Sequence, residues 1–216
     1  MLDRTARPVC LGGAALGAHR HICAFFSRRD DEYRVLLPFI KDGVDAGEKA
    51  VHIVDPLRRD EHLHQLRSGG IDADAAEKRG QLDLRAWTDA HLRDGVFNQD
   101  RTLRLIGDIR RDSQLQGFAR TRFVTHMEWA LEADGGIDRL LEYEATANLA
   151  VAGDPVVCVY DLSRFGGDVV VDVMRTHPLI LIGGILHENP FFVAPEDFLR
   201  ELRERARLRH AAAVSA

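Results

Sequence analysis

The chain has 216 residues, of which 45% are hydrophobic and 29% are charged, and its formal net charge is −5 at pH 7. This length is enough for one well-packed core and short for two full domains. The negative charge argues against nucleic-acid binding through this chain, and no apolar run approaches the ~20 residues that would span a bilayer.

Short apolar runs alternate with longer helical patterns along the chain. The apolar runs predict strands at residues 21–26, 50–55, 82–87, 122–126, 156–160 and 179–185. Helical periodicity predicts helices at residues 31–46, 59–68, 100–116, 137–152, 167–175 and 195–207. This alternation indicates an α/β fold, with a mostly parallel sheet flanked by helices on both faces. We expect one domain over residues 19–209, between flexible tails at residues 1–18 and 210–216.

The turn after the first predicted strand lacks the features of a phosphate-binding loop. It reads Phe26-Ser27-Arg28-Arg29-Asp30-Asp31-Glu32-Tyr33, with no glycine and no lysine. A P-loop needs glycines to bring backbone N–H groups around the phosphates, and a lysine for the terminal phosphates. The three acids are typical of a helix start, with Asp30 as the predicted N-cap. The sequence therefore argues against an ATPase, and we expect no bound ATP.

Cysteine usage favours a reducing compartment. Cys10, Cys23 and Cys158 form no closely spaced pair, and Cys23 and Cys158 lie in apolar strand-like runs. Reduced thiols in such positions indicate a cytoplasmic protein.

A series of short motifs runs in order from about residue 19 to residue 199. They are His21-Ile22-Cys23 with Phe25-Phe26, Pro38-Phe39, Gly43, Gly47-Glu48, Met127-Glu128-Trp129, Tyr143-Glu144, Cys158-Val159-Tyr160-Asp161, Thr176-His177-Pro178 and Asn189-Pro190-Phe191. In this order and spacing they resemble the methanogen/methylotroph sensory (MEDS) domain. Residues 39–55 also resemble the helix-to-strand passage of RecA/KaiC-type ATPases.

The resemblance implies a RecA/KaiC-like three-layer sandwich that senses small hydrocarbon-type molecules. Domains of this family are commonly joined to a helix-turn-helix, a kinase-like ATPase or an anti-sigma module. The segment after Pro195 predicts one helix and no such output module. Signalling would then need a protein partner (a kinase, an anti-sigma factor or a transcription regulator), or the sequence is part of a longer regulator. A homo-oligomer is compatible with the sequence.

Ligands of open α/β sheets bind beyond the carboxyl ends of the strands. Applied with the period-two alternation of the strands, this rule and the family resemblance predict a ligand-binding set. The set comprises His21, Cys23, Phe25, Phe26, Trp87, His126, Glu128, Trp129, Glu144, Tyr160, Asp161 and His177.

Glu144 stands out within this set. Together with Asn148 it interrupts the apolar stripe of the predicted helix at residues 137–152, at a spacing of four residues. A buried carboxylate needs a partner. The sequence leaves open whether that partner is Asn148, an arginine such as Arg120 or Arg122, a histidine or a ligand.

Three interpretations of the predicted set stay open. Its members are satisfied core residues, or they form a pocket for an organic ligand. The third interpretation is a transition-metal site built on His21, Cys23 and either His126 or His177, although no standard chelating motif is present.

The preferred function is a sensory, ligand-binding domain. The alternatives are a pure protein-interaction module on a degenerate RecA-like scaffold, or a His/Cys metal sensor. No nucleophile elbow or metal-hydrolase motif is present, so we predict no catalytic residue and no enzyme activity.

Overall fold

The computed structural model of the protein describes residues 8–150 and 153–214. The strands are β1 (Cys10–Leu11), β2 (Ala14–Ala15), β3 (His21–Phe26), β4 (Lys49–Val54), β5 (Leu82–Ala86), β6 (Thr121–His126), β7 (Val156–Asp161), β8 (Leu179–Ile182) and β9 (Ile185–Glu188). The helices are α1 (Arg29–Asp45), α2 (Arg59–Ser68), α3 (Ala73–Lys78), α4 (Gln99–Leu115), α5 (Gly136–Ala150), α6 (Gly167–Thr176) and α7 (Pro195–Val214). No helix in this described part is both long enough and apolar enough to cross a membrane.

The main sheet has seven strands in the order β5-β4-β6-β7-β3-β8-β9. All neighbours pair in parallel except β8 and β9, which form an antiparallel hairpin. The register of the central pair places Cys23 beside Cys158. The carboxyl ends of β3, β4, β6 and β7 therefore meet at one edge of the sheet, as a parallel arrangement requires.

Helices cover both faces of this sheet, and its strands are therefore buried on both sides. One core lies under α1, α2 and α3 and includes Ile22 and Val157. The other lies under α4, α5, α6 and α7 and includes Cys23 and Cys158. The predicted α/β fold with a mostly parallel sheet and helices on both faces is confirmed.

The last predicted strand, at residues 179–185, is wrong as a single element. Gly183 and Gly184 have φ values of 60° and 81°, so the chain reverses there and forms the β8–β9 hairpin. Two successive residues with positive φ fit the twist of a tight hairpin, and glycine adopts them without steric cost. The short helix α3 was also absent from the predicted elements.

The structure describes residues 8–18 and 210–214 of the two predicted tails, and residues 1–7 and 215–216 lie outside the described part of the chain. Within residues 1–18, the described residues from 8 onward include the β1–β2 hairpin, and Val9 and Leu11 are each only 2% exposed. These apolar side chains belong to the core under α1. At the other end, α7 continues through Val214 beyond the predicted tail boundary at residue 210.

The start of α1 also differs from expectation. Arg28, not Asp30, occupies the N-cap position, and it makes no side-chain capping bond. Asp30, Asp31 and Glu32 lie in the first turn, where carboxylates complement the helix dipole. The helix runs unbroken through Pro38.

A buried arginine fixes how α1 lies on the sheet. Arg122 is 3% exposed, and it donates from Nε to Glu48 (2.5 Å) and from Nη1 to the Phe39 carbonyl (2.6 Å). A Cβ placed on Gly43 would come within 2.7 Å of Arg122 Nε. Because Arg122 is held by these bonds, it has little freedom to move away.

We expect Gly43→Ala to lower the free energy of unfolding by about 1–3 kcal/mol, since it overpacks a fixed guanidinium. Gly107→Ala is the matched control, because Gly107 also lies inside a helix but a Cβ added there would have nothing within 4 Å. This control should gain about 0.4–1 kcal/mol through reduced unfolded-state entropy. Urea denaturation of both variants checks the difference, and equal effects would contradict the assigned contact.

Candidate functional site

A crevice of about 410 Å³ opens at the carboxyl ends of the parallel strands. It is formed where β3, β4, β6 and β7 pass into their following loops. Its lining comprises Phe26, Ser27, Arg28, Arg29, Asp30, Glu32, Tyr33, Val54, Asp55, Arg58, His62, His126, Glu128, Tyr160, Asp161, Ser163 and Arg164. The turn after β3 therefore lines the crevice, as expected for an open α/β sheet.

A charged pair forms part of the crevice lining. His126 Nε2 donates to Glu32 Oε1 at 2.8 Å, which joins the end of β6 to the first turn of α1. Burial disfavours the charged imidazole, but the Glu32 carboxylate outweighs it and raises the pKa of His126 to about 9. His126 is therefore a cation at neutral pH. Glu128 accepts a hydrogen bond from the backbone N–H of Asp161 at 2.9 Å, and burial raises its pKa.

A row of neutral polar groups continues inward from this pair. The Tyr33 hydroxyl lies 3.0 Å from His62 Nδ1, and His62 Nε2 lies 2.8 Å from His52 Nδ1. Burial, followed by the charge of His126, lowers the pKa of His52 to about 3. Burial likewise lowers the pKa of His62. The row is therefore uncharged, and the charge of the crevice floor is concentrated at His126 and Glu32.

The rim of the crevice carries cations. Arg29 pairs with Glu61, and Arg58 pairs with Asp55. The exposed side chains of Arg28 and Arg164 have no ion-pair partner among residues 8–150 and 153–214. These two guanidinium groups are available to a molecule that enters.

A second polar centre lies inside the core under α5, on the opposite face of the sheet from α1. It consists of His21, Glu144, Cys158 and His177, which offer donor atoms that all lie within 4.8 Å of one another. All four side chains are at most 4% exposed. We call this set the Glu144 cluster.

Glu144 is the centre of that cluster. Its Oε1 accepts a hydrogen bond from the Tyr160 hydroxyl at 2.5 Å. Its Oε2 lies 3.2 Å from His21 Nε2, 3.5 Å from His177 Nε2 and 3.6 Å from Cys158 Sγ. Burial opposes ionisation of Glu144, but the two imidazoles hold its pKa well below the ordinary range.

The tautomers of both imidazoles follow from their other partners. His177 Nδ1 lies 3.0 Å from the Val173 carbonyl, which can only accept, so Nδ1 carries the hydrogen. Asn148 donates from Nδ2 to the carbonyls of Glu144 and Thr176, so its Oδ1 faces His21 Nδ1 at 3.1 Å and accepts from it. In the neutral imidazoles, both Nε2 atoms therefore present lone pairs towards Glu144 Oε2.

The two tryptophans of the predicted set belong to neither centre. Trp87 is 1% exposed and Trp129 is fully buried. Trp129 stacks between His91 and Phe97, with ring centroids 4.9 Å and 4.4 Å away. Both indoles are thus core residues of the face under α4 and α5 and do not line the crevice.

The rest of the predicted set divides between two places. The crevice receives Phe26, His126, Glu128, Tyr160 and Asp161, whereas the core under α5 receives His21, Cys23, Phe25, Glu144 and His177. β6 ends at His126, as predicted, and Glu128 begins a 3₁₀ turn, so these two residues do not share a strand. The arginine partners considered for Glu144 are also wrong, since Arg120 and Arg122 both pair with Glu48.

Sequence reasoning missed Glu32, Tyr33, His52 and His62 as residues in or next to the crevice. His52 carried one usable signal, because it is a titratable residue in the apolar run of β4. The partnership of Glu32 with His126 spans 94 positions and has no local signature.

Comparisons with known proteins place this geometry in a family. A family profile described as MEDS, the MEthanogen/methylotroph, DcmR Sensory domain, matches residues 20–178. The chain is 25% identical over 177 residues to the transcriptional repressor DcmR of Methylorubrum extorquens, covering 81% of this chain and 64% of that protein. The chain thus spans somewhat less than two thirds of that relative.

A solved structure supports the same fold. The KaiC-like protein of the archaeon Pyrococcus horikoshii OT3 matches with a TM-score of 0.56 at 17% identity, over 79% of this chain and 73% of that one. At this identity the likeness concerns the fold alone, which is RecA/KaiC-like as predicted. With the profile match over residues 20–178, it follows that the chain belongs to the MEDS family of sensory domains.

Proposed function

We propose that this domain binds a small organic molecule in the crevice at the strand ends and passes its occupancy to a partner regulatory protein. The observation that carries the proposal is the crevice itself. Its volume of about 410 Å³ lies within the range of ~300–1,000 Å³ that is typical of small-molecule sites. Its place beyond the carboxyl ends of parallel strands is where such folds bind ligands.

The lining indicates the chemistry of the ligand. Phe26 and Val54 are apolar residues of the lining, which favours a hydrocarbon-like body. The arginines of the rim favour a hydrogen-bond acceptor or an anion. We therefore propose a small, largely hydrocarbon molecule with one electronegative or acidic group.

The regulatory output is proposed by analogy with the relative, which is a transcriptional repressor. A kinase, an anti-sigma factor or a transcription regulator is the class of partner we propose. A cytoplasmic setting would suit the free thiols of Cys23 and Cys158.

A domain used only for docking a protein would need no crevice at this edge of the sheet. The open space lined by His126, Glu128 and Tyr160 argues for the ligand-binding alternative.

A thermal-shift screen tests the ligand. Short-chain alcohols, aldehydes, halomethanes and carboxylates, each added singly, are the probes, with Mg²⁺–ATP as a non-binding comparison. A ligand present at 100 times its Kd stabilises the folded state by about 2.7 kcal/mol, which corresponds to a shift in Tm of roughly 5–10 °C at this length. We expect this shift for at least one probe class and none for Mg²⁺–ATP.

Two arginine variants test whether a stabilising probe binds in the crevice. Arg164→Ala should reduce the shift, whereas Arg104→Ala, which removes an exposed arginine on α4 away from the crevice, should leave it unchanged. The proposal fails if no probe class stabilises the protein, or if the shift is unaffected by Arg164→Ala and by His126→Gln.

The charged pair in the crevice predicts a pH dependence of stability. The folded pKa of His126 is about 9, above its unfolded value of ~6.5, so its contribution is complete below pH ~6.5 and is lost as the pH rises through 9. We expect the free energy of unfolding to fall by up to ~3 kcal/mol between pH ~6.5 and ~9.5.

Buried thiols also lower the stability as they titrate in alkali, so the contribution of His126 must be separated from theirs. A comparison of the wild type with His126→Gln does this. Denaturant titrations of both proteins should show the alkaline loss in the wild type and a markedly flatter profile in the variant. Parallel profiles would show that His126 is not the titrating group. Glu32, Glu128 and His62 are the titratable side chains near His126, so Glu32→Gln should also flatten the profile.

A further inference from the structure

The Glu144 cluster carries four donor atoms and has no role in the crevice chemistry above. Its ligand types are two imidazole nitrogens, one carboxylate oxygen and one cysteine sulfur. This is the mixture that a borderline-soft divalent ion such as Zn²⁺ prefers.

Four of the six separations among the candidate ligand atoms match a four-coordinate site, and all six are within 4.8 Å. Bond lengths of ~2.0–2.3 Å in a tetrahedron imply separations of about 3.3–3.7 Å between neighbouring ligand atoms. The structure gives 3.2 Å and 3.5 Å from Glu144 Oε2 to His21 Nε2 and His177 Nε2. It gives 3.4 Å from Cys158 Sγ to His21 Nε2 and 3.6 Å from Cys158 Sγ to Glu144 Oε2.

The remaining atoms of these residues are held as outer-shell groups of metal sites usually are. His21 Nδ1 donates to Asn148, and His177 Nδ1 donates to the Val173 carbonyl. The Tyr160 hydroxyl donates a hydrogen bond to Glu144 Oε1, which leaves Oε2 as the one carboxylate oxygen facing the cluster. Each ligand is thus oriented with a single donor atom inward.

One of the four inward atoms has no hydrogen-bond partner within the described part of the chain. His177 Nε2 is fully buried and makes no hydrogen bond of ordinary geometry among the described residues. When His177 is neutral, this nitrogen presents its lone pair to the Glu144 carboxylate, and two acceptors repel each other. A cation between them would take the place of the proton that an imidazolium supplies.

Charge balance also fits a divalent ion. A thiolate at Cys158 and the carboxylate of Glu144 carry two negative charges, and two neutral imidazoles carry none. One M²⁺ ion makes the buried centre neutral, so no net charge has to be buried.

We propose that His21, Glu144, Cys158 and His177 bind one divalent transition-metal ion of the Zn²⁺ class. Four protein ligands close the coordination sphere, which is typical of a structural site rather than a catalytic one. The ion would tie β3, α5, β7 and the entry to β8 together. This proposal does not depend on a ligand in the crevice.

Two measurements on the full chain test it. The protein purified without chelators should contain stoichiometric zinc by inductively coupled plasma mass spectrometry. After removal of zinc and addition of Co²⁺ alone, we expect the intense visible bands of four-coordinate cobalt and a near-ultraviolet thiolate-to-cobalt band. Absence of both zinc and the four-coordinate spectrum would overturn the proposal.

Cysteine variants identify the sulfur ligand. Cys158→Ser should abolish the thiolate-to-cobalt band. Cys23→Ser is the matched control, since Cys23 is equally buried in the neighbouring strand but directs its thiol at the Leu179 carbonyl, 3.7 Å away. A band that survives Cys158→Ser, or that disappears in Cys23→Ser, would refute the assigned ligand set.

A conservative variant keeps the test valid if Cys158→Ser does not fold. Tyr160→Phe removes only the hydroxyl that holds Glu144 Oε1. It should retain the thiolate-to-cobalt band and weaken Co²⁺ affinity about 10–100-fold, as expected for an outer-shell partner. An unchanged affinity would show that Glu144 is not a ligand, and would also count against the proposal.

Discussion

The carboxylate of Glu144, which has no exposure to water, governs how four elements of the domain meet. A buried charge is costly unless it is paired and hydrogen-bonded. Its partners come from β3, β7 and the segment before β8, so all must approach α5 within a few ångströms. Hydrophobic contacts are non-directional, whereas these contacts are satisfied only when Cys23 lies beside Cys158 in the register of the central strand pair.

The fold was predictable where the chemistry is local. Apolar runs identified strands β3 to β7 to within one residue at each end, since strands buried on both faces leave little room for polar side chains. The apolar stripe interrupted by Glu144 and Asn148 was by itself a sign of a buried polar centre. The alternation of His21 with Cys23 placed both on the correct face, because successive strand residues point to opposite sides.

The arrangement of the two polar centres could not be predicted, because it depends on contacts between residues far apart in the sequence. The histidine partners of Glu144 lie 123 and 33 residues from it in the sequence, so no spacing motif relates the three residues. The same holds for the contact of Glu32 with His126 across the sheet edge. The β8–β9 hairpin was missed for a different reason, since one uninterrupted apolar run concealed the turn at Gly183 and Gly184.

The first turn of α1 bears on the proposed ligand, because it differs in chemistry from a phosphate-binding loop. A helix N-terminus with free backbone donors attracts an anion, and a phosphate loop uses this attraction. Here Asp30, Asp31 and Glu32 already complement the helix dipole, and Glu32 neutralises the charge of His126. An anion gains little from the helix end itself. Positive potential in the crevice must then come from side chains, and Arg28 and Arg164 place it at the rim. For the proposed ligand, guanidinium groups at a rim suit a small, partly apolar molecule better than a triphosphate, which needs backbone donors wrapped around it.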